Sequence, residues 1–375
     1  MPEKIKKFWK NQTVLCIAAI LATISCFLIP PSAAYIEYIN ADTLILLFVL
    51  MGAVAGLRIC GVFQRLAGVL TKMCSNARVL ALVMLTVCFF SSMFITNDVA
   101  LLTFVPVTLL IYAGRKDEKS SKSLIYTVIF ETAAANLGSM LLPTGNPQNI
   151  YLCSYFSLTP AVLVRTLLPY GILAYVLLCL SVLLIPKLSL AIESEQTNAY
   201  PTFSWRITLC CTIIFVLALL TVSGKISATI CLCASVALLL IATPRTIAMI
   251  DYFLLLTFVC FFIFTGNLGQ IQAISTFLSS FIRGRELAVS IAVSQVFSNV
   301  PAAILLSGFT NQGKTLLLGV NIGGLGTPIA SLASLISYQL YAKENHEKSK
   351  KYLGQFMIYA YGLLALLCLS VLILK

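Results

Sequence analysis

Two short polar knots interrupt otherwise apolar sequence, Ser92-x-x-x-Thr96-Asn97 and Ser294-x-x-x-Ser298-Asn299. Hydroxyls beside an Asn carbonyl form a hard-oxygen set, suited to holding Na⁺ or to hydrogen-bonding an oxyanion. One such knot alone also serves as glue between membrane helices. Two copies, each followed by a broken tract, are more specific. The tracts are Ala135–Asn146 (ANLGSMLLPTGN) and Val320–Ser331 (VNIGGLGTPIAS), 185 positions apart, with Asn136 matching Asn321, Gly138 matching Gly323 and Pro143 matching Pro328. Interrupted apolar segments at corresponding places in two halves are the sequence mark of a transporter binding site. The candidate ligand-binding positions are therefore the knots together with Thr144, Gly145, Asn146 and Pro147 in one half and Thr327, Pro328, Ala330 and Ser331 in the other. A helix broken at membrane depth frees backbone groups: N–H donors for an anion, carbonyls for a cation.

Of the 13 acidic residues, only Asp98 and Glu131 fall well inside apolar segments. A central, ionised carboxylate costs about 2.5–3.5 kcal/mol on insertion scales. No Lys or Arg lies comparably deep in the sequence, so each acid must be protonated, hold a cation or face water. Both are candidate coupling carboxylates.

The elements that must position these residues are membrane helices. The chain is 59% hydrophobic and only 10% charged, with mean hydropathy +0.98, whereas a soluble domain carries about 25% charge. The fold class expected is an all-α integral membrane protein of about nine full spans plus two hairpins. The spans fall near 14–29, 42–58, 123–142, 161–185, 206–222, 226–243, 250–264, 315–341 and 352–374. The segments 79–113 and 287–310 turn at Asn97 and Asn299, each as two full spans or as a re-entrant hairpin, and either leaves both ends on the same side. A polar turn at membrane depth is tolerable only inside protein or against a water-filled cavity.

With a cytoplasmic N-terminus, 19 of the 25 Lys and Arg lie on the inner side, as the positive-inside rule requires. The spans starting at 42 and 250 then run in opposite directions, each from near an Asp (Asp42, Asp251). The organisation expected is a tail and first span over 1–41, a repeat over 42–185, a linker with two spans over 186–249 and an inverted repeat over 250–375. The first hairpin enters from the cytoplasm and the second from outside.

Several function classes are disfavoured. The net charge of +12 is accounted for by inner loops, and nucleic acid is not expected as a partner. The 13 cysteines have no disulfide or zinc spacing, and His346 is the only histidine, so neither a histidine metal centre nor another cofactor is expected. There is no P-loop, and an intramembrane enzyme would need a nucleophile–base pair or metal ligands that the sequence does not offer. A non-transporting membrane scaffold would have no use for paired polar breaks.

The Ser-x-x-x-[Ser/Thr]-Asn tips and the Asn136-x-Gly138…Pro143-Thr144-Gly145-Asn146-Pro147-x-Asn149 segment resemble the ion transporter superfamily, which includes arsenite permeases, D-type Na⁺/H⁺ antiporters, citrate transporters and divalent anion–sodium symporters. The resemblance covers about residues 10–374. It implies two hairpin-bearing inverted repeats and an elevator-type alternating-access cycle. By analogy with the sodium symporters, Ser92, Thr96, Asn97 and Gly145 form one sodium-like site and Ser294, Ser298, Asn299 and Ala330 the other, with substrate near Asn146, Pro147 and Ser331. This chain has Asp98 and Val300 where the symporter tips carry Thr. An ionised Asp98 at about 4 Å from a substrate carboxylate would repel it by about 4 kcal/mol at an effective dielectric of 20. The Asn-Asp tip is closer to the arsenite permease and antiporter branches.

The function expected is a secondary active transporter in the cell membrane. It moves a small anion or oxyacid coupled to H⁺ or Na⁺, and a homodimer is compatible with this. The alternative is a Na⁺/H⁺ antiporter using Asp98.

Overall fold

The computed structural model describes residues 12–62, 65, 74, 76–115, 117–190 and 203–373. Among these, eighteen α-helices and three short 3₁₀ turns occur and no β-strand forms. Six helical stretches are long and apolar enough to cross a bilayer: Ala41–Ile59, Ala77–Ile95, Pro160–Leu184, Trp205–Val222, Tyr252–Gln270 and His346–Ile373. A 19-residue helix rises about 28 Å, close to the roughly 30 Å of hydrocarbon. Five shorter apolar helices accompany them.

The helices are α1 (Thr13–Leu28), α2 (Ala34–Tyr38), α3 (Ala41–Ile59), α4 (Ala77–Ile95), α5 (Asn97–Ile111), α6 (Glu118–Ser139), α7 (Pro147–Tyr155), α8 (Pro160–Ser181), α9 (Trp205–Val222), α10 (Ala228–Ala242), α11 (Arg245–Ala248), α12 (Tyr252–Gln270), α13 (Gln272–Ile282), α14 (Glu286–Phe297), α15 (Asn299–Ser307), α16 (Gly313–Ile322), α17 (Leu332–Glu344) and α18 (Ser349–Ile373). Their starts follow from local chemistry. Asn40, Asn76, Asp117, Thr159, Ser204, Ser227 and Asp251 each accept a backbone N–H of the first turn, satisfying donors that a helix start leaves orphaned.

The order α3, hairpin α4–α5, α6, break, α7, α8 recurs as α12, hairpin α14–α15, α16, break, α17, α18. The segment expected as one span at 315–341 is two half-helices, α16 and α17, separated by residues 323–331. The segment at 123–142 begins earlier, because Asp117 caps α6 and its first turns are polar. The span at 250–264 continues to Gln270 and is followed by α13, which was not anticipated. Its apolar residues gather on one face, with Phe277 and Phe281 stacked and exposed, as in a helix lying in the membrane interface.

Helices α9 and α10 pack on α3 through its glycines. A Cβ on Gly52 would lie 2.6 Å from Leu239 Cδ1, and one on Gly56 would lie 2.4 Å from Cys211 Sγ. Helix α1 packs along α12, where buried Asn267 donates to Ser25 Oγ (3.0 Å) and Tyr35 Oη (2.8 Å). The remaining helices surround the two breaks.

Candidate functional site

Each hairpin turns at a strained residue. Thr96 has φ 66° and ψ 151°, and Ser298 has φ 74° and ψ 155°. Side-chain-bearing residues avoid this region, at about 1–3 kcal/mol each, and such strain concentrates at ligand sites. Of the three non-glycine residues with positive φ among the described residues, two are these tips. Asn97 and Asn299 then open α5 and α15.

The breaks pack against the hairpins through matched glycines. A Cβ on Gly138 would lie 2.0 Å from the Phe89 carbonyl oxygen, and one on Gly323 would lie 3.0 Å from Ile291 Cα and from Ser294 Cβ. Phe89 and Ile291 precede Ser92 and Ser294 by three residues each, so the two contacts are counterparts.

Across the centre the halves bond to each other reciprocally. Asn136 Nδ2 donates to Ser334 Oγ (3.1 Å), and Ser331 Oγ donates to Asn136 Oδ1 (2.7 Å). In the counterpart arrangement, Asn321 Nδ2 donates to Asn149 Oδ1 (2.7 Å), and Asn146 Nδ2 donates to Asn321 Oδ1 (3.0 Å). The pairs 136/321, 146/331 and 149/334 are all separated by the same 185 positions. One rule of pairing is therefore applied twice, once from each half. All six side chains are buried, where an unmet polar group costs about 1–3 kcal/mol.

The hairpin tips join this network. Asn97 Nδ2 donates to Asn136 Oδ1 (3.1 Å). Asn299 N donates to the Ala330 carbonyl (2.9 Å), and Ser298 Oγ reaches the same oxygen (3.4 Å). Ser298, Asn299 and Ala330, expected together, are thus brought together. Ser92 and Ser294 turn their hydroxyls onto their own helices, at Phe89 O (2.9 Å) and Ser290 O (2.7 Å). Gly145 lies against Ser139, whose carbonyl oxygen a Cβ would meet at 2.0 Å. Thr144 Oγ1 donates to Met93 O (3.0 Å), and Thr327 Oγ1 donates to Gln295 O (3.0 Å). Pro147 is the first residue of α7, where its missing N–H is harmless. Pro328 is half-buried at the open edge of the second break.

Side-chain amides hold the freed carbonyls. Asn149 Nδ2 donates to Met140 O (2.9 Å) and Leu142 O (3.1 Å). Gln295 Nε2 donates to Gly323 O (2.8 Å) and Leu325 O (2.9 Å), and its Oε1 accepts from Thr327 N (2.9 Å). Asn149, Gln295, Ser334 and the Asn136/Asn321 pair were absent from the sequence-derived site. Carrying the 185-position step from Asn149 to Ser334 would have found two of them; nothing in the sequence marks Gln295.

Four helices, α5, α7, α15 and α17, begin at this centre. Asn146 caps α7 by accepting from Asn149 N (3.0 Å). Thr96, Ser298 and Ser331 precede the other three, and none of them caps its helix with its side chain. At the α5 start Asp98 N donates instead to Asn97 Oδ1 (3.0 Å), and at the α15 start Asn299 N donates to Ala330 O across the second break.

The acids lie apart from one another. Asp98 Oδ1 is buried with no protein partner. Glu131 is fully buried; its Oε1 accepts from Thr108 Oγ1 (2.6 Å), and its Oε2 has no partner. Their counterparts in the other half are Val300 and Leu316, both apolar and buried. No cluster of three or more metal-ligating His, Cys, Asp or Glu occurs among the described residues.

Broken helices bonded across two similarly ordered halves, in an all-helical membrane-spanning chain, define a membrane transporter. The chain belongs to the citrate transporter family (CitMHS), whose pattern matches residues 5–311. It is 34% identical over 266 residues to an uncharacterized transporter of Methanocaldococcus jannaschii, covering 70% of each chain. It is also 32% identical over 308 residues to the inner membrane protein YbiR of Escherichia coli, covering 80% of each. Among solved structures, the Alcanivorax borkumensis YdaH transporter shares the fold. The TM-score is 0.54 at 12% identity, over 99% of this chain and 97% of that one.

Proposed function

We propose that the protein is a secondary active permease of the cell membrane that carries a small anion or oxyacid between the two hairpin tips, driven by H⁺ or Na⁺. The reciprocal pairing of Asn136 and Asn321 with the opposite break carries this reading. Two breaks bonded to each other by equivalent residues form one site rather than two kinks, and that pairing is the relation expected of inverted repeats. The helix starts at Asn97, Asn299 and Leu332 bring partial positive charge to the centre, which favours an anion. The citrate transporter family adds weight to a carboxylate as cargo. An ionised Asp98 would oppose a carboxylate close by, so Asp98 holds a proton or the coupling cation while substrate is bound.

The mechanism follows from what can move. The strained tips and the break residues Thr327–Ile329 sit between packed helices, and the α3–α9–α10 group is a close-packed block that borders the first break through α3 and α9 against α7. In an elevator cycle the two hairpins and breaks would shift together against that block, carrying the closed site from one side to the other. The N-terminus is assigned to the cytoplasm on the Lys/Arg distribution.

The test is uptake into proteoliposomes of citrate, succinate, phosphate, arsenite and sulfate, with H⁺ and Na⁺ gradients imposed separately. Gradient-dependent accumulation of at least one of these is expected. The unpartnered Asp98 oxygen supports a second reading, Na⁺/H⁺ antiport. Na⁺-driven proton movement with no anion uptake would select it and overturn the first.

A further inference from the structure

The turn joining α5 to α6 and the turn joining α17 to α18 border one cavity of about 1030 Å³. Its wall has two zones. The zone further from the turns is apolar. Leu109 and Leu124 are its buried part, while Pro106 and Leu110, one turn apart on α5, are exposed and so continue the zone onto the outer face of that helix.

The zone nearer the turns is charged. Arg115 and Lys348 are half-buried, whereas Lys343, Glu344, His346 and Glu347 are exposed at the rim. The charges drawn into the wall are therefore both positive, and the two carboxylates stay at its edge. Lys348 Nζ donates to Ser121 Oγ of the opposite turn, a neutral acceptor that fixes the ammonium without cancelling its charge. In sequence, the connections 115–122 and 343–351 carry eight Lys or Arg against four Asp or Glu, so the surrounding field has the same sign.

A metal cation would meet Arg115 and Lys348 and be repelled. An inorganic anion would suit them and leave the apolar zone unfilled, in a cavity as large as the upper end of the about 300–1,000 Å³ typical for drug-sized ligands. An amphiphile with an anionic head matches both zones. Basic pockets between membrane helices on the cytoplasmic side bind anionic phospholipid head groups, and the Lys/Arg distribution assigns these turns to that side.

We propose that this cavity is a binding site for an anionic phospholipid of the adjoining leaflet. Arg115, Lys343 and Lys348 hold its phosphodiester, and an acyl chain lies along Pro106, Leu109 and Leu110. The lipid rests on the α5–α6 turn of the first half and the α17–α18 turn of the second, and so fastens the two halves together on one face. The site is independent of what the centre carries.

The experiment is calorimetric titration of the purified full-length protein in neutral detergent. The separate probes are dioctanoyl phosphatidylglycerol, dioctanoyl phosphatidylcholine and inorganic phosphate. The two lipids share their chains and differ in net head-group charge, and phosphate carries charge without chains. Phosphatidylglycerol is expected to bind at least tenfold tighter than either of the others. Lys343→Gln with Lys348→Gln removes two charges from the wall, and Lys350→Gln with Lys351→Gln removes two exposed charges from the same connection outside it. The first pair should weaken phosphatidylglycerol binding at least tenfold and the second less than about twofold. Leu110→Trp, at a position 44% exposed, fills the apolar zone and keeps every charge, so the test survives if the first pair misfolds. It too should weaken binding at least tenfold. Equal losses from the two charge pairs would mean diffuse attraction, and equal affinity for phosphatidylcholine would remove the role of charge. Phosphate binding as tightly as phosphatidylglycerol would make the occupant a soluble anion. Any of these, or wild-type affinity in Leu110→Trp, would overturn the proposal. Anion uptake does not enter the readout, so failure of the permease reading leaves this test unaffected.

Discussion

The two breaks follow one plan and are finished differently. In the first, every residue from Pro143 to Cys153 is buried, Asn146 caps α7, and Asn149 holds two freed carbonyls. In the second, Thr327 and Pro328 are half-buried and Ile329 is 57% exposed, while Ser331 leaves α17 uncapped and donates to Asn136 instead. The acids differ in the same direction, since Asp98 and Glu131 have only Val300 and Leu316 opposite them. Similar halves have thus divided the work. The first break is a bonded floor with the titratable groups beside it, and the second is an open wall.

Several substitutions would break or sharpen this division. The largest effect is expected from Gly138→Leu, because even a Cβ there meets the Phe89 carbonyl at 2.0 Å. Backbone cannot yield as a side chain can, so folded protein recovered from membranes should fall to background. Gly323→Ala, with its contacts at 2.8–3.0 Å, should leave a folded but less stable protein. Equal recovery of both variants by size-exclusion chromatography would show that the glycine contacts are not what locks the first break.

Next in size is Asn146→Ala. It removes a helix cap, worth about 1 kcal/mol, and strips Asn321 Oδ1 of a buried donor, worth about 1–3 kcal/mol more. Ser331→Ala should cost under about 1 kcal/mol, since Asn97 still bonds Asn136 Oδ1. Its effect should fall on substrate affinity. Thermal melts of the two variants read this directly, and a larger loss for Ser331→Ala would reverse the assignment of floor and wall.

Asp98→Asn should abolish gradient-driven accumulation while downhill exchange persists, because Asn keeps the shape but cannot ionise. Unchanged accumulation would reduce Asp98 to a protonated structural acid. The smallest effect is Ile329→Cys, an exposed site where substitutions stay within about 0.5 kcal/mol. It should react quickly with a soluble maleimide, whereas Thr144→Cys, buried in the first break, should not. Equal labelling rates would erase the difference in openness.

That both tracts would break was legible in the sequence, because Asn, Gly and Pro at a fixed 185-position step have few structural uses other than a chain break. So were the hairpin tips, since a polar knot inside an apolar run must turn or be buried. The bonding across the site was not legible. Which of Ser92, Ser298 or Ser331 faces inward depends on helix rotation, and Ser92 and Ser294 spend their hydroxyls on their own helices. Gln295 was invisible because a lone Gln on an apolar helix carries no pattern, although its amide holds three backbone groups of the second break. The sequence places the start of that span near 123, whereas the Asp117 cap starts α6 at Glu118 and buries Ser120.

The central claim is that the two breaks form one site through Asn136 and Asn321. It is tested most directly by the dissociation constant of a transported anion for purified wild type, Asn136→Ala, Asn321→Ala and the double variant. Residues acting as a unit are non-additive. Each single variant should weaken binding at least tenfold, about 1.4 kcal/mol, and the double variant should bind little worse than the weaker single. Wild-type affinity in either single variant, or losses that simply add, would contradict a shared site.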